Sequence, residues 1–188
     1  MRHKIQSFVS AGIALLAMLG MGIAPAAAQG TGFYVGAGAG QTSSDLCSDP
    51  AFAGLSCDDK DTGIKVFGGY NFLPNFGVEA AWIDLGEASV SGPGGSGKVS
   101  VDGYQIAGVG ILPINPQFDV FGKVGFYMWD AELTSTFGNA SEDGTDLMFG
   151  FGGAWNFTPQ LSLRAEWERF DVDDEDADLL SASIVFKF

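Results

Sequence analysis

Six charged residues lie in runs where apolar residues take the alternate positions, and their side chains are the ones most able to do chemistry. They are Lys65, Glu79, Lys123, Arg164, Glu166 and Glu168, with Lys187 similarly placed near the end of the chain. Glu166 and Glu168 are two residues apart, so in an extended strand their carboxyl groups point to the same side. Two carboxyl groups on one surface are an arrangement that acid–base hydrolysis uses. No part of the pattern predicts a substrate cleft beside them.

The histidine and glycine patterns argue against catalysis and cofactor binding. The only histidine is His3, in a segment that we expect to be removed, so no Ser/His or Asp/His pair is available. The glycine-rich run FYVGAGAG at 33–40 is not followed by a helical pattern. Its spacing fits neither the P-loop nor the dinucleotide fingerprint. We therefore predict that the protein is not an enzyme and holds no cofactor.

The acidic run DVDDEDAD at 171–178 superficially resembles a calcium-binding loop. It lacks the glycine at the turn and the terminal bidentate glutamate of an EF-hand. We favour a solvated acidic loop over a loop that binds divalent cations shared with lipopolysaccharide phosphates. We therefore predict no metal site.

Two features indicate that the chain is exported. Residues 1–28 begin with the basic MRHK, continue through an apolar stretch at 8–19 and end in small residues. This pattern is typical of a secretory signal peptide rather than of a retained membrane anchor, because the apolar stretch is too short to span a membrane. Cys47 and Cys57 lie in one polar stretch, and in an oxidising compartment we predict a disulfide between them rather than two free thiols.

The predicted mature chain, residues 29–188, is one domain by its length. The net charge of −14 argues against a nucleic-acid partner, because such a partner requires basic patches. An apolar content of 46% and an aromatic content of 13% also argue against a disordered acidic chain. We therefore expect a folded domain with an acidic surface.

Alternation of apolar with polar or glycine residues predicts β-strands throughout the mature chain. The clearest case is the hairpin at 64–85, whose two arms meet at the turn Leu73-Pro74-Asn75. In its second arm Val78 and Ala80 alternate with Glu79. Counting both arms, eight strands are predicted, at 32–41, 64–72, 76–85, 98–112, 118–132, 145–157, 161–170 and 180–188.

The connections between these strands alternate in length and character. Those near 73–75, 113–117 and 158–160 are short and contain proline. Those at 42–61, 86–97, 133–144 and 171–178 are predicted to be longer loops, polar or acidic. Short turns at one end and long loops at the other are typical of a bacterial outer-membrane barrel. In such a barrel the apolar faces contact lipid and the charged residues line a narrow lumen. A soluble, lipocalin-like barrel would require an apolar lumen and a polar exterior.

Several segments together resemble the OmpA-like transmembrane barrel, in the superfamily of outer-membrane β-barrel surface proteins. They are VFGGYNFLPNFGVEAAW, LPINPQFDVFGKVGFYMW, FTPQLSLRAEWERF and a last strand that ends on a phenylalanine. The resemblance implies an all-β, eight-stranded, antiparallel up-and-down transmembrane barrel in the bacterial outer membrane. It also implies that Phe186 and Phe188 carry the signal read by the barrel-assembly machinery. Because the sequence stops at Phe188, we expect a stand-alone barrel without a periplasmic domain.

The resemblance further implies a role for the lumen charges. OmpA-like barrels carry a Glu/Arg/Lys/Glu cluster that acts as a salt-bridge plug or gate, and Glu79 and Arg164 match two of its positions. The other two positions fall near Val109 and Ala154, which are apolar or small.

Two functions follow as expectations. The first is a monomeric structural or surface-interaction role carried by four extracellular loops, as in a surface antigen, with outer-membrane lipid, lipopolysaccharide and surface or host molecules as partners. The alternative is a narrow porin-like channel for ions or small solutes. The alternative is favoured by the space that Gly36, Gly38, Gly150 and Gly152 would leave in the lumen. Against it, the lumen of an eight-stranded barrel is just wide enough for side chains to fill.

Overall fold

A computed structural model describes residues 30–44, 56–58, 60–92, 95–135, 138–172 and 175–188. Within those ranges no helix is long and apolar enough to cross a membrane. The predicted signal peptide at 1–28, Cys47 and the side chain of Cys57 lie outside the described residues. The predictions that concern them therefore stay predictions.

Eight long strands form a closed antiparallel barrel, and a ninth, short strand lies beside it. They are β1 (Gly32–Ser44), β2 (Ser56–Asp58), β3 (Lys60–Leu73), β4 (Phe76–Gly92), β5 (Gly95–Asn115), β6 (Phe118–Ser135), β7 (Gly138–Asn156), β8 (Leu161–Val172) and β9 (Glu175–Lys187). Each long strand pairs with the next, and β9 pairs with β1, which closes the barrel. The short β2 pairs with the far part of β4, where Cys57 lies opposite Val90. The predicted fold class and number of barrel strands are confirmed.

Side-chain alternation separates the two surfaces of the barrel, as the periodicity of the sequence predicted. On β6, Val124 and Phe126 are 63% and 56% exposed, whereas Lys123 and Tyr127 between and beside them are 4% and 0% exposed. On β5, Tyr104 and Ile106 point outward and Gln105 points inward, as predicted. The outside of the barrel is therefore an apolar belt, and the inside holds the charged residues.

Three tight turns join strands at one end of the barrel, which we call the short-turn end. Pro74 and Asn75 join β3 to β4, Pro116 and Gln117 join β5 to β6, and residues 157–160 join β7 to β8. The second turn is shorter than the predicted 113–117, because β5 continues to Asn115 and Pro113 lies opposite Asp119 in the ladder. Hydrogen bonds from the backbone N–H groups of Gln117 and Phe118 to the Asn115 side chain close this turn.

At the other end, which we call the hairpin end, the predictions of long loops at 86–97 and 133–144 are wrong. β4 and β5 pair as far as Gly92 opposite Gly95, and β6 and β7 pair as far as Ser135 opposite Gly138. Both segments are rich in glycine or polar residues, which hides the alternation used to predict strands. Backbone pairing between adjacent strands does not need apolar side chains, so the ladders continue beyond the apolar belt.

The predicted acidic loop at 171–178 is also mostly strand, since β8 reaches Val172 and β9 begins at Glu175. The predicted loop at 42–61 is strand at its ends and at β2. One irregularity marks the base of the β4–β5 extension, where the register shifts between Asp84 and Glu87. There Gly86 adopts a φ of +82°, which glycine tolerates best.

Candidate functional site

The six predicted lumen residues meet in one buried cluster inside the barrel. Lys65 is on β3, Glu79 on β4 and Lys123 on β6, and Arg164, Glu166 and Glu168 follow one another along the inner face of β8. Each occupies an inward position of its strand, and each is at most 5% exposed. The closure of the barrel brings residues that are up to 103 positions apart in sequence into direct contact. We call these six residues the lumen ion cluster.

Glu166 lies at the centre of the lumen ion cluster. Its carboxylate accepts hydrogen bonds from Lys65 at 2.5 Å and from Arg164 at 3.0 Å, and Lys123 lies 2.8 Å from it. Glu168 bridges the two lysines, at 2.6 Å from Lys65 and 2.5 Å from Lys123. Both glutamates are therefore held between cations.

Glu79 forms the other anionic corner of the cluster. Arg164 donates to it through Nη1 at 2.6 Å, and Lys123 donates to it at 3.2 Å. The Tyr34 hydroxyl donates a third hydrogen bond at 3.0 Å. Sequence reasoning did not single out Tyr34. The only signal in the sequence was alternation, which puts Tyr34 on the same face of β1 as Gly36 and Gly38. In the structure Tyr34 lies opposite Gly69, where a Cβ would overlap its ring.

The lumen ion cluster is electrically balanced, with three cations and three carboxylates. A charge moved from water into a protein interior loses several kcal/mol of solvation, which only close partners can offset. The ion pairs of 2.5 to 3.2 Å supply those partners. Removing a single member would leave an uncompensated charge, and in buried ion pairs such a change costs about 3–5 kcal/mol.

Apolar side chains cover the ion cluster on its hairpin side. The covering residues are Ile83, Tyr127, Met148, Phe170 and Leu179, and none of them is accessible to solvent. The Tyr127 and Phe170 rings are 4.8 Å apart, and the Tyr127 hydroxyl donates to the carbonyl of Ile83. We call these five residues the apolar layer.

Aromatic rings enclose the cluster on its short-turn side. The Arg164 guanidinium lies 4.0 Å from the centre of the Phe121 ring and 5.0 Å from that of Phe67, in cation–π contact. The Phe67 ring fills the space beside Gly36, where a Cβ would overlap it. A Cβ at Gly152 would likewise overlap the Phe121 ring.

The space beside the inward glycines, which favoured the channel alternative, is therefore not open. At Gly38 and Gly150 a Cβ would overlap Ser183 and Glu168 respectively. Side chains from neighbouring strands thus occupy the space at each of the four glycines.

Some buried polar groups near the cluster have no protein partner among the described residues. They include both amide atoms of Gln105, the hydroxyls of Ser181 and Ser183, and Nε of Arg164. A cavity of about 60 Å³ lies beside Arg164 at the short-turn end, lined also by Val109 and Ala154. Since a cavity needs about 10–15 Å³ for each water molecule, this one has room for a few. The structure therefore has space for internal water on one side of the cluster.

Lys187, the seventh predicted lumen residue, is separate from the cluster. Its side chain is 36% exposed at the short-turn end, where it donates to Asn156 at 2.8 Å and lies 4.0 Å from Asp119. In the part of the chain that the structure describes, no group of three or more His, Cys, Asp or Glu residues could hold a metal ion.

Comparison with known proteins identifies the family. The model of the family described as outer membrane protein beta-barrel domain matches residues 13–188. The chain belongs to this family. Outer membrane protein A of Escherichia coli O157:H7 is 26% identical over 111 residues, which are 58% of this chain and 32% of that relative. Its counterpart in Salmonella typhi is 28% identical over 115 residues, with 58% and 33% covered. The chain therefore spans about a third of the length of these curated relatives.

Solved outer-membrane barrels share the fold. Ail, the attachment invasion locus protein of Yersinia pestis, in complex with the heparin analogue sucrose octasulfate, aligns with a TM-score of 0.59 at 19% identity. That alignment covers 84% of this chain and 99% of Ail. Neisserial surface protein A aligns with a TM-score of 0.59 at 15% identity, over 83% of this chain and 97% of that one. At these identities the likeness concerns the fold.

Membership in the family places the barrel in the bacterial outer membrane, with its apolar belt in lipid. The belt is tall enough for this location. On β6 it runs from Phe118 to Met128, which is about 33 Å along a strand. At a tilt of about 40° this corresponds to about 25 Å across the membrane, the height expected of such a band. Aromatic rings border the short-turn end, where Trp155 contacts Phe118 and Phe157.

The predicted assembly-signal residues lie at the same end. Phe186 and Phe188 face outward, their rings 5.2 Å apart in an edge-to-face contact. The backbone N–H of Phe188 donates to the carbonyl of Phe33 at 2.9 Å. The last residue is therefore tied to β1 at the seam where the barrel closes. Recognition of these residues by the assembly machinery stays a prediction.

The outer surface at the hairpin end is acidic. One aspartate from each of β4, β5, β6 and β7 forms a row across the sheet. Asp84 lies opposite Asp102, Asp102 opposite Asp130, and Asp130 opposite Asp143. Just above them Glu87 pairs with Lys98 at 2.8 Å. Like charges placed opposite one another repel, so this row favours binding of positive charge.

Proposed function

We propose that this protein is a closed, non-catalytic barrel of the outer membrane that acts through the surface at its hairpin end. We assign that end to the outside of the cell, because outer-membrane barrels have short turns on the periplasmic side and longer connections outside. The observation that carries the proposal is the contrast between a filled lumen and an exposed, acidic sheet. That sheet is formed by β4–β7 beyond the apolar belt, and β2 pairs with its β4 edge.

The filled lumen supports a closed barrel. An ion that crossed it would have to pass both the apolar layer and the lumen ion cluster, whose residues are at most 5% exposed. The ion pairs in the cluster would have to separate, and each separation exposes buried charge without a partner. The carboxylates that might catalyse a reaction are held in the same ion pairs.

A narrow channel is the second candidate. It is supported by the unpartnered polar atoms of Gln105, Ser181 and Ser183 and by the cavity beside Arg164, which together provide sites for water inside the barrel. For this function the ion cluster would have to open a path by exchanging partners, as a gate does.

Single-channel recording on the refolded protein in a planar bilayer distinguishes the two candidates. A shift in gel mobility between unheated and heated samples serves as the control for folding. We expect no conductance steps. Reproducible steps that change in Glu79→Ala or Arg164→Ala would overturn the closed barrel in favour of the channel.

A shortened variant tests the surface role. Glu132 and Ser141 face each other near the end of the β6–β7 hairpin, so residues 133–140 can be replaced by an Asn-Gly turn. We expect cells that carry this variant to keep an outer membrane as impermeable to a hydrophobic dye as the wild type. We expect their retention on protein-coated surfaces to fall. Equal retention would contradict the surface role.

A further inference from the structure

The far half of β7 has an open edge. β7 pairs with β6 along its whole length to Gly138, but its pairing with β8 stops at Met148 opposite Phe170. Residues 138–147 therefore have a hydrogen-bonded neighbour on one side only, as far as the described residues go. In an antiparallel strand, the backbone groups of alternate residues point to opposite sides. About five of these ten residues thus present their N–H and C=O groups to the open side.

The difference in length between two hairpins produces this edge. The β6–β7 hairpin ends at Ser135 opposite Gly138, whereas the β8–β9 hairpin already ends at Val172 opposite Glu175. A notch of about 470 Å³ opens where β7 rises past the end of β8. Its lining includes Trp129, Glu142, Asp143, Gly144, Asp146 and Asp171.

Residues 138–147 have only negative charge to protect their exposed edge. Such edges are protected by charged side chains, lysine above all, by proline or by a bulge. The sequence GNASEDGTDL contains neither lysine nor proline, and its charged residues are Glu142, Asp143 and Asp146. Their carboxylates repel an acidic strand but not a cationic one. The ladder with β6 shows no register shift along it. Small residues such as Gly138, Ala140 and Gly144 leave the backbone accessible.

The charge around the edge selects the partner. Glu142 and Asp143 on β7 are exposed, and Asp130 and Glu132 lie on the adjacent β6. The sequence from 124 to 163 contains no lysine or arginine. A second copy of this chain would bring an equally acidic edge against the first, which like-charge repulsion disfavours. A cationic strand would be attracted by the same charges.

We propose that residues 138–147 of β7 accept an extended peptide rich in lysine or arginine, which adds to the sheet as a further strand. Backbone hydrogen bonds to the open edge supply the pairing, and Glu142, Asp143 and Asp146 select cationic side chains. This inference rests on the proposed surface function and names the class of partner for it.

The test uses the full barrel, folded in nanodiscs of zwitterionic phosphatidylcholine so that the lipid contributes no net charge. The probe is a fluorescent peptide of four Lys-Thr repeats. The matched probe has the same sequence with every backbone nitrogen methylated, which keeps the charge and removes the donors. Binding is followed by fluorescence anisotropy, and amide hydrogen exchange reports which strand is protected.

Two double variants separate the edge from general surface charge. Glu142→Gln/Asp143→Asn removes two carboxylates at the open edge, whereas Asp130→Asn/Glu132→Gln removes the same two types from β6, which is paired on both sides. The pairs Asp130–Asp143 and Ala131–Glu142 are opposite one another, so the two changes are closely matched in position. We expect the β7 variant to weaken binding about tenfold, and the β6 variant about twofold or less.

The methylated probe decides whether a strand is added. We expect it to bind at least about tenfold more weakly, because it cannot donate to the edge. We also expect the unmodified probe to slow amide exchange in 138–147 more than in β5. Equal binding of both probes, or equal loss in both variants, would overturn the inference in favour of charge attraction alone. If the probe fails to bind but the shortened hairpin still lowers cell retention, this inference falls and the surface function stands.

Discussion

Replacing Glu79 by glutamine should destabilise the barrel strongly, although the side chain keeps its size. The carboxylate lies 2.6 Å from Arg164 and 3.2 Å from Lys123. After the change the lumen ion cluster has three cations and two carboxylates, although its residues remain at most 5% exposed. Breaking a buried ion pair by removing one partner costs about 3–5 kcal/mol. We expect the free energy of unfolding to fall by this amount, measured by urea unfolding of the refolded protein in lipid vesicles with tryptophan fluorescence.

An exposed pair of the same chemistry provides the control. Glu87 and Lys98 lie 2.8 Å apart at the hairpin end, with side chains 50% and 60% exposed. Glu87→Gln should cost less than about 1 kcal/mol, since water solvates the lysine that loses its partner.

A double variant tests whether the cost comes from unbalanced charge. Glu79→Gln/Arg164→Met removes one charge of each sign, and we expect it to be less destabilised than the sum of the two single variants. A loss below about 1 kcal/mol in Glu79→Gln, or strict additivity in the double variant, would refute the view that charge balance holds the buried cluster together.

Three further predictions address packing, pH dependence and assembly. Gly69→Ala should lower the free energy of unfolding by about 1–3 kcal/mol, because the new Cβ overlaps the Tyr34 ring; an unchanged urea midpoint would contradict this. The Asp61 carboxylate accepts hydrogen bonds from the backbone N–H groups of Glu87 and Thr62. These bonds, mainly the one from Glu87, hold the pKa of Asp61 below its ordinary value. Their stabilising contribution is therefore present above the ordinary pKa and is lost as the pH falls through the lowered one. The protection of the Glu87 amide against hydrogen exchange should fall over the same pH range. The variant Asp61→Asn should remove this pH dependence. Deleting Phe188 should reduce the amount of heat-modifiable barrel in the outer membrane while refolding in detergent proceeds; normal assembly in cells would exclude the proposed signal.

The inward and outward faces of the strands were predictable residue by residue. Inside the apolar belt one face of each strand contacts lipid and must be apolar. The alternation at Lys123, Val124 and Phe126 is therefore strict enough to predict which residues face inward. Beyond the belt both faces can be polar, and the pattern disappears although the ladder continues. For this reason the extensions of β4–β7 were predicted as loops.

The candidate site was predictable as a set of residues but not as an arrangement. Odd or even position along each strand was enough to place Lys65, Glu79, Lys123 and the three charged residues of β8 in the lumen. It also placed Lys187 there, beside the cavity at the short-turn end. It could not separate Lys187 from the cluster, because odd or even position carries no information about the height of a residue along the barrel axis. The same limit concealed Tyr34 as the third donor to Glu79.

The sequence by itself determined the strand periodicity, the two surfaces and the equal numbers of cations and carboxylates among the six lumen residues, because these depend only on the order of residues along each strand. The tertiary structure decided which charges touch, how the glycine spaces are filled and where β7 remains unpaired. Those outcomes depend on the stagger between strands and on the relative lengths of neighbouring hairpins, and both are set only when β9 closes against β1.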